Sequence, residues 1–141
     1  MIVVDTNVVS ELWKARPDTA VMRWWRSQDL GELMITSITV AELYLGVRLL
    51  PEGRKRERLA AVVKWFCGDF VARTADFDIV AALNYSRIMA ERRRMGRPIG
   101  VQDAMIAAMA RSRGAAVATR NVKNFEGTGV DVVNPWGSTA E

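Results

Sequence analysis

Short apolar runs recur along the chain, separated by longer stretches in which apolar positions return with helical spacing. Ile2-Val3-Val4 is β-branched and apolar, and Asp5 ends it, the pattern of a fully buried strand. Thr6 or Asn7 is placed to cap a helix through Trp13. Pro17 breaks that helix, and Asp18 or Thr19 opens another carrying Val21, Met22, Trp24 and Trp25. Leu33-Met34-Ile35 predicts a second buried strand, with Thr36 or Ser37 capping a helix towards Leu50. Pro51 and Glu52 suit the first turn of a further helix reaching Phe66. Phe70-Val71-Ala72 reads as a short strand, and Asp76 as the cap of a long helix from Phe77 towards Arg93. The glycines and proline of 96–100 mark a loop. A helix over 101–113 follows, with Gly114 in the position that favours a left-handed residue. The last strands are predicted at 115–119 and 130–133.

Short apolar strands alternating with helices imply an α/β fold with a mainly parallel sheet. The chain shows no repeat, linker or low-complexity tract, so 1–136 reads as one domain and 137–141 as a loose tail. In such sheets, sites lie beyond the carboxyl ends of strands. That rule makes Asp5, after the first strand, and Arg120 and Asn121, after the strand at 115–119, expected neighbours.

The chemistry open to such a site is restricted. There is no histidine and only one cysteine, Cys67. Imidazole bases and thiolate zinc cages are thereby excluded, and Cys67, with no histidine to activate it, reads as a packed thiol. A single cysteine makes no internal disulfide and favours a reducing compartment. No stretch has the length and hydropathy of a membrane span, and the N-terminus lacks a signal-peptide pattern, so a cytoplasmic location is expected. The 20 basic and 16 acidic residues give a net charge of +4, with a pI of about 9.7, which suits a polyanionic partner without demanding one.

What remains is carboxylate chemistry. Asp5 has an ordinary reading as a helix cap, but Thr6 and Asn7 are equally able to cap, which leaves Asp5 free. Glu42 has Ile38, Leu45 and Leu49 as helical neighbours, an apolar flank on which a carboxylate needs a partner arginine or a metal. Asp103 lies in the first turn of its helix, where the macrodipole favours an anion. Asn121 is a neutral oxygen donor at a strand end. None of these spacings is a local metal motif. They identify candidate ligands and leave their convergence open.

Four stretches in order carry a resemblance to a known family. They are Met1-Ile2-Val3-Val4-Asp5-Thr6-Asn7-Val8-Val9-Ser10-Glu11; Ser37-Ile38-Thr39-Val40-Ala41-Glu42-Leu43-Tyr44-Leu45-Gly46; Gly96-Arg97-Pro98-Ile99-Gly100 through Asp103-Ala104-Met105-Ile106-Ala107-Ala108; and Ala118-Thr119-Arg120-Asn121-Val122-Lys123-Asn124-Phe125. Together they resemble the PIN-domain family, and within it the VapC-like toxins of bacterial toxin–antitoxin pairs, most nearly the FitB-type branch. The resemblance implies a three-layer α/β/α sandwich and a metal-dependent ribonuclease that hydrolyses RNA phosphodiester bonds. It places Asp5, Glu42 and Asp103 on the family's acidic positions, with Asn121 where many members carry a fourth acid. Asn7 and Thr119 match its supporting polar positions. Many relatives carry aspartate where this chain has Asn124, so the local negative charge is lower here.

Oxygen donors of this kind favour Mg²⁺ or Mn²⁺, which offset the repulsion between neighbouring carboxylates. In that scheme Asp5 and Asp103 are the main ligands, Glu42 binds the ion or orients water, and Asn121 assists from the edge. Arg92, Arg93 and Arg97, with Arg94, cluster before the helix bearing Asp103, and Arg120 and Lys123 sit near the fourth stretch. They read either as solvated helix ends or as contacts to RNA phosphates. Adjacent Trp24 and Trp25 are not expected to share one core, so at least one belongs near a surface or interface.

The resemblance further implies a homodimer, a cognate antitoxin whose tail crosses the cleft, and contact with DNA only through that antitoxin. A second reading makes the chain a non-catalytic or weakly catalytic dimerising partner in an antitoxin–DNA repressor complex. A haloacid-dehalogenase-like phosphatase needs a second aspartate two residues after the first, where this chain has Asn7. A receiver domain needs an acidic pair at its first strand, which is also missing.

Overall fold

Val3 and Val4 point to opposite sides of one sheet, and the two halves of the core grow outward from that alternation. The computed structural model describes residues 1–137. Its elements run β1 (Ile2–Val4), α1 (Thr6–Leu12), α2 (Thr19–Ser27), β2 (Leu33–Thr36), α3 (Ser37–Leu49), α4 (Arg54–Asp69), β3 (Thr74–Ala75), α5 (Ile79–Arg94), α6 (Val101–Ser112), β4 (Ala116–Ala118), α7 (Val122–Phe125) and β5 (Val132–Val133). Short 3₁₀ turns cover Leu30–Glu32 and Val71–Arg73. The strands form a sheet of order β3-β2-β1-β4-β5, with every pairing parallel. This is the mainly parallel α/β/α sandwich that the alternation and the resemblance imply.

One face of the sheet packs Val3, Met34 and Val117 under α5 and α6. The buried residues of α6 include Ala104, Ala107, Ala108 and Ala110, small side chains that let the helix lie close to the strands. The other face packs Val4, Leu33, Ile35 and Ala118 against Val8 and Val9 of α1, Leu43 and Val47 of α3, and Phe66 of α4. Chain order reverses direction across the sheet between β1 and β4, which pair in register Ile2 with Ala116 and Val4 with Ala118. A crevice opens beyond the carboxyl ends of strands at such a reversal. Asp5 and Thr119 are the first residues beyond those two ends.

Several expected boundaries shift, each for a local reason. α4 starts at Arg54, and Pro51 and Glu52 lie before it. Pro51 holds Leu50 extended (ψ 145°), and Gly53, at φ 147°, turns the chain into the helix. Asp78 rather than Asp76 caps α5, accepting from the Ala81 amide at 3.0 Å. The predicted strand at 70–72 is instead the end of α4 and a 3₁₀ turn, because Phe70 is stacked on Phe66 at 4.5 Å. The strand comes later, at Thr74–Ala75, paired with Ile35 and Thr36.

Trp24 and Trp25 divide as expected, the second of them only half-buried at the edge of the core. Trp24 is buried, and Trp25 packs on the same cluster, 6.4 Å from Phe66 and 6.3 Å from Phe70. The rings of Trp13, Trp25, Phe66 and Phe70 meet there. Cys67 packs at the edge of that cluster, and burial pushes its thiol up. No helix among the described residues is long and apolar enough to cross a membrane. Of the expected tail, residues 138–141 lie outside the described residues.

Candidate active site

β1 ends at Asp5 because the Asp5 amide still continues the ladder, donating to Ala118 O at 2.9 Å, while its side chain turns into the crevice. The carboxylate caps α1 after all: Asp5 Oδ1 accepts from the Thr6 amide at 2.8 Å. Its second oxygen, Oδ2, accepts from Thr119 Oγ1 at 2.7 Å and, at 3.4 Å, from Asn7 Nδ2. Thr119 is fully buried, and its hydroxyl also accepts from the Asn121 amide at 3.0 Å and from Asn7 Nδ2 at 3.4 Å. One hydroxyl therefore fixes the carboxylate, the start of the loop after β4 and the Asn7 side chain together.

Glu42 enters from α3. Its Oε1 accepts from Thr6 Oγ1 at 2.7 Å, and Thr6 and Thr39 hydroxyls lie 2.9 Å apart. Thr6 has one hydroxyl proton, directed at the carboxylate, so Thr39 is the donor between the two hydroxyls. Thr36 in turn accepts from the Thr39 amide at 3.1 Å. The apolar flank expected around Glu42 is mostly not buried: Leu45 is 53% and Leu49 75% exposed. No arginine or lysine pairs with Glu42 among the described residues.

Asp103 projects from the first turn of α6, where the helix N-terminus favours its charge. Asn124 Nδ2 donates to its Oδ2 at 3.0 Å. Asn124 thus occupies the acid position as a donor, a role an ionised aspartate cannot fill. Asn121 begins α7, but its exposed side chain makes no cap.

The Asp5 carboxylate feels both other acids. Asp5 is buried, and desolvation is the main cause that raises its pKa from 3.8 to about 6. The hydrogen bonds from Thr119 and Thr6 oppose this shift, while repulsion from Asp103 and from Glu42 adds to it. A buried acid without a countercharge, facing two further acids, is a site short of positive charge.

All the donors are oxygens, which fits a hard divalent cation in kind. Yet among the described residues no three acidic, histidine or cysteine side chains already form a closed ligand set. Oxygens of Asp5, Glu42 and Asp103 are each held by a polar neighbour, from Thr6, Thr119 and Asn124.

The model of the PIN domain family matches residues 2–129 of this chain. The chain belongs to the PIN-domain family. It is 43% identical over 140 residues to the VapC ribonuclease Y4jK of Sinorhizobium fredii, a match covering 96% of this chain and 98% of that protein. It is 38% identical over 141 residues to toxin FitB of Neisseria gonorrhoeae, covering 96% and 99% respectively. The structure of FitAB bound to a DNA fragment superposes with a TM-score of 0.93 at 36% identity, over 96% of each chain. The order of strands and the crevice beyond β1 and β4 are thus those of a PIN domain.

The surface cations divide differently from the sequence expectation. Arg92 is no surface residue: it is 4% exposed, and its guanidinium donates to Arg97 O, Asn124 O and Glu126 O. It clamps the loop before α6 to the end of α7, so its sequence neighbourhood misled. Arg97 pairs with Glu126 at 3.2 Å. Arg120 lies over the Trp136 ring at 5.1 Å, and its amide donates to Asn7 Oδ1 at 3.3 Å. Arg93 and Lys123 are exposed, and neither side chain makes a hydrogen bond or ion pair among the described residues. Thr6 and Asn124 are hydrogen-bond partners of the acids, and Thr39 of Thr6, roles that the sequence by itself does not show for any of the three. The signal for Thr6 was its place directly after the strand-ending aspartate.

Proposed function

We propose that this PIN-domain chain is the toxin of a toxin–antitoxin pair and a ribonuclease that hydrolyses RNA phosphodiester bonds with Mg²⁺ or Mn²⁺. The observation that carries the reading is the buried Asp5 beyond the end of β1, repelled by both Asp103 and Glu42 and with no cation paired to any of the three among the described residues. The names of its relatives, a VapC ribonuclease and a toxin, support it. Asp5, Asp103 and Glu42 would hold the ion. A bound divalent ion supplies an acidified water and charge stabilisation at the phosphate.

The chain's own groups do the rest. Thr119 and Thr6 keep Asp5 oriented and favour its ionised form. Thr6 fixes Glu42 through one oxygen, and the other would accept a proton from water or bind the ion. Asn124 aims Asp103, and Asn121 lies at the rim. Hydrolysis by water needs no histidine and no protein nucleophile, in keeping with the composition.

A homodimer, a cognate antitoxin covering the cleft, DNA contact through that antitoxin and a cytoplasmic location complete the proposal. The FitAB–DNA structure supports the antitoxin and DNA parts. Expression of wild type and Asp5→Asn without any partner tests it, scoring growth arrest and RNA integrity. Arrest with RNA loss by wild type alone is expected. Equal effects from both, or none from either, point instead to a dimerising partner without catalysis.

A further inference from the structure

Two open hollows lie side by side on the layer made by α1, α3 and α4. The first, of about 240 Å³, is lined by Glu42, Ser10, Trp13, Lys14, Leu59 and Val63 among others. The second, of about 270 Å³, is lined by Trp13, Lys55, Arg58, Leu59 and Val62. They meet at Trp13 and Leu59, so one furrow runs from the catalytic Glu42 to the start of α4. Its openness along one side suits an extended chain better than an enclosed small molecule.

The charge of the furrow changes along its length. Glu42 stands at the cleft end, and Lys14, Lys55 and Arg58 line the remainder. Lys14 bridges to the buried Glu11 at 2.8 Å, yet its side chain is more than half exposed. Lys55 and Arg58 are exposed and lie three positions apart on α4, so they share a face. α4 opens Arg54-Lys55-Arg56, with no side-chain cap on Gly53. Cations crowded at the positive end of a helix dipole oppose its stability, and an arriving anion relieves both. Between the cations, the Trp13 ring is propped edge-on against Phe66, centroids 5.4 Å apart.

We propose that this furrow is the track for single-stranded RNA entering or leaving the cleft. Lys55 and Arg58 contact its phosphates, and Trp13 is the platform on which a base stacks. This rests on the ribonuclease reading and names the surface that serves it. A polypeptide is the other occupant an apolar-floored furrow accepts. Nucleic acid is favoured because the exposed Lys55 and Arg58, with the ion-paired Lys14, line a route that ends at Glu42, one of the acids proposed to cut phosphodiesters.

The test uses the full chain with a fluorescent, mixed-sequence single-stranded oligoribonucleotide. Binding is measured by anisotropy in EDTA, and cleavage separately with Mn²⁺. Lys55→Glu/Arg58→Glu is expected to weaken binding about tenfold or more at moderate salt and to flatten the log–log salt slope by roughly 1.4, the loss of two contacts on a single strand. It raises KM with little change in kcat. Arg23→Glu/Arg26→Glu, the same charge change on exposed positions of α2, is expected to shift affinity less than threefold. Trp13→Leu weakens binding without altering the salt slope. Equal losses from both double variants, or unchanged binding by Lys55→Glu/Arg58→Glu, overturn the proposal, and the second result leaves the furrow to a polypeptide. Binding in EDTA reads the furrow whatever the catalytic outcome, and wild-type cleavage reads the nuclease whatever the furrow does.

Discussion

Thr119 Oγ1 donates to Asp5 Oδ2 at 2.7 Å, joining residues 114 positions apart at the ends of two paired strands. The bond favours the ionised acid and opposes the desolvation that raises its pKa. Thr119→Val keeps the shape and removes the hydroxyl. It is expected to cost about 1–2 kcal/mol of stability, because Asp5 and the Asn121 amide each lose a partner. It also lifts the Asp5 pKa beyond about 6, moving the acidic limb of the pH–rate profile to higher pH. Thr119→Ser should restore both. A profile that stays in place with Thr119→Val would show that this hydroxyl does not tune Asp5.

Asp5 also predicts how the metal-free protein responds to pH. Its ordinary value is 3.8 and its folded value about 6, so the folded state holds a proton that the unfolded chain releases in that interval. The contribution of Asp5 to stability is therefore greatest below about pH 4, falls as pH rises towards 6, and is level above. The gap corresponds to about 3 kcal/mol. Asp5→Asn removes this slope and stabilises the metal-free chain at neutral pH by an amount on the order of 1–3 kcal/mol. Urea unfolding in EDTA at about pH 4.5 and 7.5 checks it. A variant no more stable than wild type at the higher pH would contradict the assigned burial cost.

Much of this arrangement was legible in the sequence, and the exceptions have physical causes. Strand-ending Asp5 was readable because an apolar β-branched run stops at one residue. The sheet's parallel character followed from strands alternating with helices. Helix starts at 51–53 and 76–78 were harder, since several residues in each stretch can cap and only long-range packing chooses among them. Phe70 read as part of a strand because Phe70-Val71-Ala72 is a short apolar run, whereas its stacking on Phe66 keeps it at the end of α4. Asp103 and Glu42 were named as candidates, but their coupling to Asp5 is a property of the fold. Arg92 was misread as a surface cation because its three carbonyl partners come from segments remote in sequence.

Arg92 gives a third prediction. Its three charge-assisted bonds hold the loop entering α6 to residues 124–126. Arg92→Met leaves three carbonyls without their donor and is expected to destabilise the chain by about 3 kcal/mol or more. Under conditions where the variant remains folded, the salt slope of RNA binding should not change. A reduced slope with unaltered stability would return Arg92 to the phosphate-binding set.

Asn124→Asp exchanges the donor on Asp103 for another acid. The added charge is expected to tighten Mn²⁺ binding by roughly fivefold, about 1 kcal/mol for a partly exposed charge. It should lower stability in EDTA, where the new acid faces Asp103 unscreened by metal. Calorimetric titration and thermal unfolding with and without Mn²⁺ measure the two effects. Unchanged affinity would remove Asn124 from the account of the metal site.

The central claim is that Asp5, Glu42 and Asp103 act as one metal-holding unit that cuts RNA. The most direct measurement is cleavage of one RNA by purified wild type, Asp5→Asn and Asp103→Asn, with Mn²⁺ or Mg²⁺ titrated in from EDTA. The account predicts no cleavage in EDTA, metal-dependent cleavage by wild type, and a loss of roughly a hundredfold or more in each variant. Metal-dependent cleavage at the wild-type rate by both variants would contradict it.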